Sequence, residues 1–182
     1  MSEITQLLGD VRAGDGDAWN RVVALLYDDL RRLAQRANAG GRPHSLNATA
    51  LVHECWLRFA DGGGRGIVDR AHFLAIAARA MRQILANHAR DRLAAKRGGG
   101  AQRTTLDHVD IAADREAEEL LHLDALLTRL AHEDERLARV VDCRIFAGLT
   151  EAETADALGF SLRSVQRLRP QARERLHTLL AA

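Results

Sequence analysis

Apolar residues recur at three- and four-residue steps along nearly all of this 182-residue chain, and no stretch alternates at every second position. That period puts them on one face of an α-helix, and without any strand-like alternation it commits the chain to an all-α fold. From Ile4 to Val11, and from Ala18 to Ala37 through Trp19, Val22, Val23, Leu26, Leu30 and Leu33, the pattern predicts amphipathic helices. After the turn-like NAGGRPHS, the stretch TALVHECWLRFA predicts another, stopped by DGGGRG, where successive glycines make helix continuation costly. The longest helix follows in DRAHFLAIAARAMRQILANHARDRLAAKR. There Asp69 stands as the N-cap, Phe73, Ile76, Ala77, Ala80, Met81 and Ile84 form the apolar stripe, and Arg79, Arg82 and Arg90 fall together on the opposite side.

The segment GGGAQRTTLDHVDIAADRE has no sustained period, with glycines first and acids afterwards, and predicts a flexible linker over 98–115. Two small helical domains, 1–97 and 116–182, are expected on either side. The second opens acidic in REAEELLHLDALLTRLAHEDE, keeps helical spacing through Leu137, Val140, Val141 and Ile145, and ends at Gly148 as a C-cap. The 47% hydrophobic content is enough for one modest core or two small ones, so length alone does not decide between them.

Several chemistries are not supported. Cys55 and Cys143 are the only cysteines, each in an apolar helical segment, which gives neither a disulfide framework nor a zinc set and fits a reducing cytoplasm. The eight histidines, His53 and His88 among them, lack a metal-ligand pair with a carboxylate, and the glycine runs lack the lysine and hydroxyl residue of a phosphate loop. No cofactor, metal or catalytic residue is expected. No basic start leads into an apolar run, and no stretch of about 18 uncharged apolar residues predicts export or a membrane span. A net charge of +1 would point away from polyanions, but the signs are segregated along the chain, so local charge is the useful quantity.

That segregation is sharpest in TEAETADALGFSLRSVQRLRPQARERL. Thr150 and Glu153 have capping-box spacing, Gly159 breaks the helix they start, and Ser161 caps a second helix whose Val165 and Leu168 point back at the first. This is helix-turn-helix grammar, and the second helix turns Arg163, Gln166, Arg167 and Arg169 outward, donors suited to phosphates and major-groove base edges. Pro170 removes the amide that would bond to the Gln166 carbonyl, at about 3 kcal/mol in a helix interior. A kink near Arg169, or a break with Pro170 opening a new helix, is expected; both fall behind the first turns that read DNA.

LARVVDCRIFAGLTEAETADALGFSLRSVQR resembles the fourth conserved domain of sigma-70 family factors, and TALVHECWLR with AHFLAIAARAMRQILANHARDRLAAKRGGG resembles the second. Two such domains on a short linker resemble the extracytoplasmic-function (ECF) class, and specifically a subgroup carrying AKRGGG after the second domain. The resemblance implies a non-enzymatic, cytoplasmic subunit of bacterial RNA polymerase that directs promoter-specific initiation. For the -35 element it implicates Ser161, Arg163, Ser164, Gln166, Arg167 and Arg169, and for the melted -10 element Arg79, Arg82, Asn87, His88 and Arg90. For core polymerase it implicates Asn47, Thr49, Leu51, Glu54, Leu57 and Arg58. A stand-alone helix-turn-helix repressor or activator, which would need to dimerise to read two half-sites, is the rival reading, with a helical adaptor behind it.

The departures from the family pattern carry information too. Where most relatives have an acidic DAED before LVQE, this chain has NATA, Asn47 to Ala50, and only Glu54 keeps a charge. Removing acids from a charge-complementary interface weakens association. A phosphoryl group on Thr49 would add about −1.5 to −2 charges, so a Ser/Thr kinase, or another regulator, is an expected partner; helix capping by Thr49, Ser45 or Asn47 is the plainer role. Gln166 stands where lysine is usual. The acidic DHVDIAADREAEE is placed to cover the basic stripe in the free chain.

Overall fold

Side-chain caps open most of the helices. The computed structural model describes residues 3–38, 46–59, 66–98 and 107–181, and among these the only regular elements are helices. Asp15 accepts from the Asp17 amide at 2.9 Å, and α2 (Gly16–Ala37) follows α1 (Glu3–Arg12). Asn47 accepts from the Ala50 amide at 2.9 Å to open α3 (Ala48–Arg58), and Asp69 accepts from the His72 amide at 2.8 Å to open α4 (Arg70–Gly98). Beyond these lie α5 (Asp107–Glu133), α6 (Glu135–Val141) with a π-helical turn (Asp142–Phe146), α7 (Glu151–Leu158) and α8 (Leu162–Ala181). Thr150 and Glu153 form the reciprocal capping box at the head of α7.

Helices α1 to α4 enclose a core in which Leu8, Leu26, Leu30, Leu51, Phe73 and Met81 are fully buried. Trp19 packs edge-on against Phe59 and Phe73, each at 6.1 Å between ring centroids. Cys143, Ala147, Leu149 and Ala157, from the C-terminal half, belong to this same core, while Leu127, Leu130, Val140, Leu168 and Leu179 build a second one. Burial raises both thiols to about 12, so Cys55 and Cys143 act as small apolar residues.

Two expectations need correction. Residues 107–115, expected to belong to the linker, are helical, because α5 lies along α4 and gains from tertiary packing what its sequence lacks in period. Residues 99–106 of that linker, and Ser45, lie outside the described residues. Of the two outcomes expected at Pro170, a kink or a break, the break does not occur: α8 runs from Leu162 to Ala181 with the proline inside. Pro170 sits on the exposed side, where water can reach the freed Gln166 carbonyl, while Val165, Leu168, Ala172 and Leu179 bury the opposite face on both sides of it.

The halves also meet through Arg36, whose Nη1 donates to the Ala147 carbonyl at 3.1 Å, and through Arg70, which bridges Asp29 at 2.8 Å and Glu153 at 3.4 Å. Gly148, beside that carbonyl, has φ +66°, and a Cβ there would lie 1.7 Å from Arg36 Nη1. Gly159 has φ +67° with open space around it. Gly159→Ala is therefore expected to lose only the left-handed backbone term, about 1 kcal/mol. Gly148→Ala should lose that term and the Arg36 bond, about 2 kcal/mol in all, visible as the larger drop in thermal denaturation midpoint.

Candidate nucleic-acid interface

The end of α8 that would meet a groove is built from local rules. Gly159 turns the chain in the left-handed region, Ser161 accepts from the Ser164 amide at 3.1 Å, and the two serine hydroxyls lie 2.8 Å apart. Val165 and Leu168 are buried, which forces Arg163, Gln166, Arg167 and Arg169 to the outside. These four are not equivalent. Glu151, from α7, accepts from Arg169 at 3.1 Å and from Gln166 at 3.4 Å, pinning both. Arg163 and Arg167, four positions apart on one helical face, have no acidic partner among the described residues.

On α4 the predicted stripe is assembled but largely occupied. Arg79 is exposed. Arg82 is only 12% exposed, with Nη1 donating to Asp124 at 2.5 Å and Nε to Asp142 at 3.2 Å. Arg90 donates to the other Asp124 oxygen and to Asn87 Oδ1, each at 2.7 Å. Farther along, Arg92 donates to Asp114 at 3.0 Å, and Lys96 reaches the same carboxylate. Arg79, Arg82, Asn87 and Arg90 line one cleft of about 500 Å³ between α4 and the α5–α6 pair. His88 does not join them, because its Nε2 bonds Glu54 on α3 at 3.0 Å.

Burial and charge oppose each other in this cleft. Desolvation pushes the Asp142 carboxyl above its usual range, with Arg82 pulling the other way. The Lys96 hydrogen bond, aided by Arg92, holds Asp114 below its usual range.

The α3 surface divides similarly. Asn47 is the N-cap, which leaves the Thr49 hydroxyl exposed and outside the capping role. Leu57 and Arg58 are exposed and Glu54 half-buried, all on the outer side. Leu51 is fully buried, so it supports the helix from behind and offers no surface. Sequence reasoning placed DHVDIAADREAEE, which contains Asp114, over the α4 cations but did not single out Asp124 and Asp142, although a carboxylate on an otherwise apolar helical stretch, as at Asp142 beside Val140, Val141 and Cys143, was the available signal.

Among the described residues no group of three or more His, Cys, Asp or Glu could hold a metal ion, and no helix is long and apolar enough to cross a membrane. The family model described as ECF sigma factor matches residues 1–182, the whole chain. No curated protein matches the chain. Among solved structures it is similar to CnrH, solved in complex with the cytosolic domain of CnrY, at 20% identity over 99% of this chain and 98% of that chain, with a TM-score of 0.45.

Proposed function

Because the chain belongs to the ECF sigma factor family and so serves as an RNA polymerase sigma factor, we propose a division of that work among its surfaces. The first turns of α8 read the -35 element: Arg163 and Arg167 contact bases or phosphates directly, while Glu151 holds Gln166 and Arg169 at the edge of the same face. The α4 stripe of Arg79, Arg82, Asn87 and Arg90 takes the melted -10 strand, and His88 reaches it once released from Glu54. Asn47 at the head of α3 and Thr49, Glu54, Leu57 and Arg58 on it meet core polymerase, with residues 1–97 and 116–182 as the working modules joined by 98–115, of which 107–115 is already the helical start of α5. The role is one of binding in the cytoplasm without catalysis, and the AKRGGG sequence supports membership of the subgroup that carries it.

The observation that carries this reading is the pair of arginines, Arg163 and Arg167, without an acidic partner among the described residues, on a serine-capped helix that follows a left-handed glycine turn. Run-off transcription with core RNA polymerase tests it. Promoter-dependent transcripts are expected only when the chain is added, and tight operator binding by the chain alone, without initiation, would refute it.

Thr49 is the regulatory position in this scheme. It stands one residue inside the α3 N-terminus, where a phosphate would face unpaired amides and the positive end of the helix dipole, and would restore the acid missing from NATA. Thr49→Glu is expected to tighten core polymerase binding by roughly 5- to 10-fold at low salt, and by less at high salt. Thr49→Ala should abolish kinase-dependent activation. Equal activity of Thr49→Ala and the native chain under every inducing condition removes the switch.

A further inference from the structure

The first two turns of α8 offer fewer groups to DNA than their sequence suggests. Ser161 and Ser164 are engaged with each other, hydroxyl to hydroxyl at 2.8 Å, and Ser161 also accepts from the Ser164 amide. Val165 is fully buried, and Gln166 is held by Glu151. What these turns present outward is Arg163, Arg167 and one apolar side chain, Leu162, which is 46% exposed. We propose that Leu162 is a specificity-determining residue: it reads the 5-methyl group of one thymine in the -35 element, beside a G·C pair read by Arg163. The proposal rests on the sigma-factor reading and deepens it, because it adds a base identity that the arginines do not supply.

A lone exposed leucine is ordinary on a protein surface, so its position carries the argument and its exposure alone does not. Leu162 opens α8 directly after the Ser161 cap, at the end that helix-turn-helix proteins place against base edges. It belongs to neither core, whereas Leu168 of the same helix is built into the second. The first turn of α8 also carries no acid, although the positive end of a helix dipole favours one and α7 has both Glu151 and Glu153 there. That turn is therefore open to a polyanion, with Leu162 at its head.

The chemistry of the major groove decides what Leu162 can recognise. Guanine offers two acceptors, which the paired donors of an arginine match, while adenine offers one acceptor and one donor, which they do not. The thymine methyl is the apolar group on the groove floor, and a side chain without polar atoms discriminates by meeting it. Leu162 and Arg163 are consecutive and point about 100° apart, and since a G·C pair has no methyl, the thymine belongs to a neighbouring pair. Gln166 and Arg169 follow Leu162 on the same flank at helical spacing, but Glu151 holds both, which leaves Leu162 as the side chain that reaches forward there.

The test uses holoenzyme assembled from the full chain and core polymerase. Selection from duplexes randomised over the -35 region gives the preferred element, and deoxyuridine then replaces each thymine in turn, which removes one methyl group and leaves every hydrogen bond in place. One thymine next to a G·C pair should respond, with binding about 3- to 5-fold weaker, the factor expected for burial of a single methyl group. Leu162→Ala should bind the thymine and deoxyuridine duplexes equally, and Leu162→Met, which keeps the apolar reach, should retain the difference. At the same position 5-methylcytosine should bind better than cytosine with the native chain and no better with Leu162→Ala. The deoxyuridine series on the native chain does not depend on any variant folding. A preferred element in which no thymine responds, or a response that persists in Leu162→Ala, overturns the assignment. Initiation by a holoenzyme that is insensitive to the methyl group defeats this assignment and leaves the sigma-factor reading standing, whereas absence of promoter-dependent initiation defeats that reading itself.

Discussion

Arg82→Ala should lower the thermal midpoint of the free chain by roughly 10 °C. Arg82, Asp124 and Asp142 keep only 12%, 11% and 8% of their side chains accessible, and the one guanidinium serves both carboxylates. Deleting it strands the buried Asp142 and leaves Asp124 to Arg90 alone, and breaking a buried pair from one side costs about 3–5 kcal/mol because the remaining charge has lost its partner. At about 2–4 °C per kcal/mol for a chain of this size, that is the largest single-site effect expected from a polar residue here.

The sign of the pH dependence follows from Asp142. Its folded-state carboxyl is already raised by burial, and losing Arg82 removes the strongest influence holding it down. A raised acid favours the protonated folded form, so its penalty is absent below the unfolded pKa and grows as pH rises through the folded one. The deficit of Arg82→Ala should therefore shrink between about pH 7 and pH 4. Calorimetry at both values checks this, and a midpoint equal to the native one at about pH 7 would mean that the triad does not hold the halves together.

The same triad marks where legibility from sequence stops. Helix starts were readable because a cap and its amide lie within three residues, as with Thr150 and Glu153 or Asp69 and His72. The basic face of α4 was readable for the same reason: Arg79, Arg82 and Arg90 share a face by helical period alone. Their counter-charges were not, since Asp124 and Asp142 lie 42 and 60 positions from Arg82 and come into reach only through packing. Of the acids placed by sequence over the stripe, Asp114 meets Arg92 and Lys96 farther along α4, while Arg82 and Arg90 of the stripe itself are met by Asp124 and Asp142 from outside that segment. At Pro170 the local rule gave a kink or a break, and the break does not occur, since Leu168 and Ala172 are buried on either side of the proline. Leu51 shows the converse error, since a motif position on α3 says nothing about which way its side chain turns.

Promoter recognition should depend on a smaller set of α8 residues than the arginine count suggests. Arg163→Ala/Arg167→Ala is expected to cut transcription from a -35-dependent promoter by roughly 100-fold, since each good base contact contributes about 1–3 kcal/mol. Both side chains are exposed and without an acidic partner among the described residues, so their loss leaves no buried charge behind and the thermal midpoint should stay within about 2 °C of native. Gln166→Ala/Arg169→Ala makes the informative contrast. These two are held by Glu151, so removing them frees an acid on the reading face as well as deleting two donors. Their loss should weaken binding across all sequences, with a modest change in salt slope, whereas loss of Arg163 and Arg167 should change which sequences are preferred. A selection of -35 sequences with each double variant distinguishes the outcomes. If the Gln166 and Arg169 variant alone shifts the preferred sequence, then the side chains engaged by Glu151 read the bases, and Arg163 and Arg167 only grip the backbone.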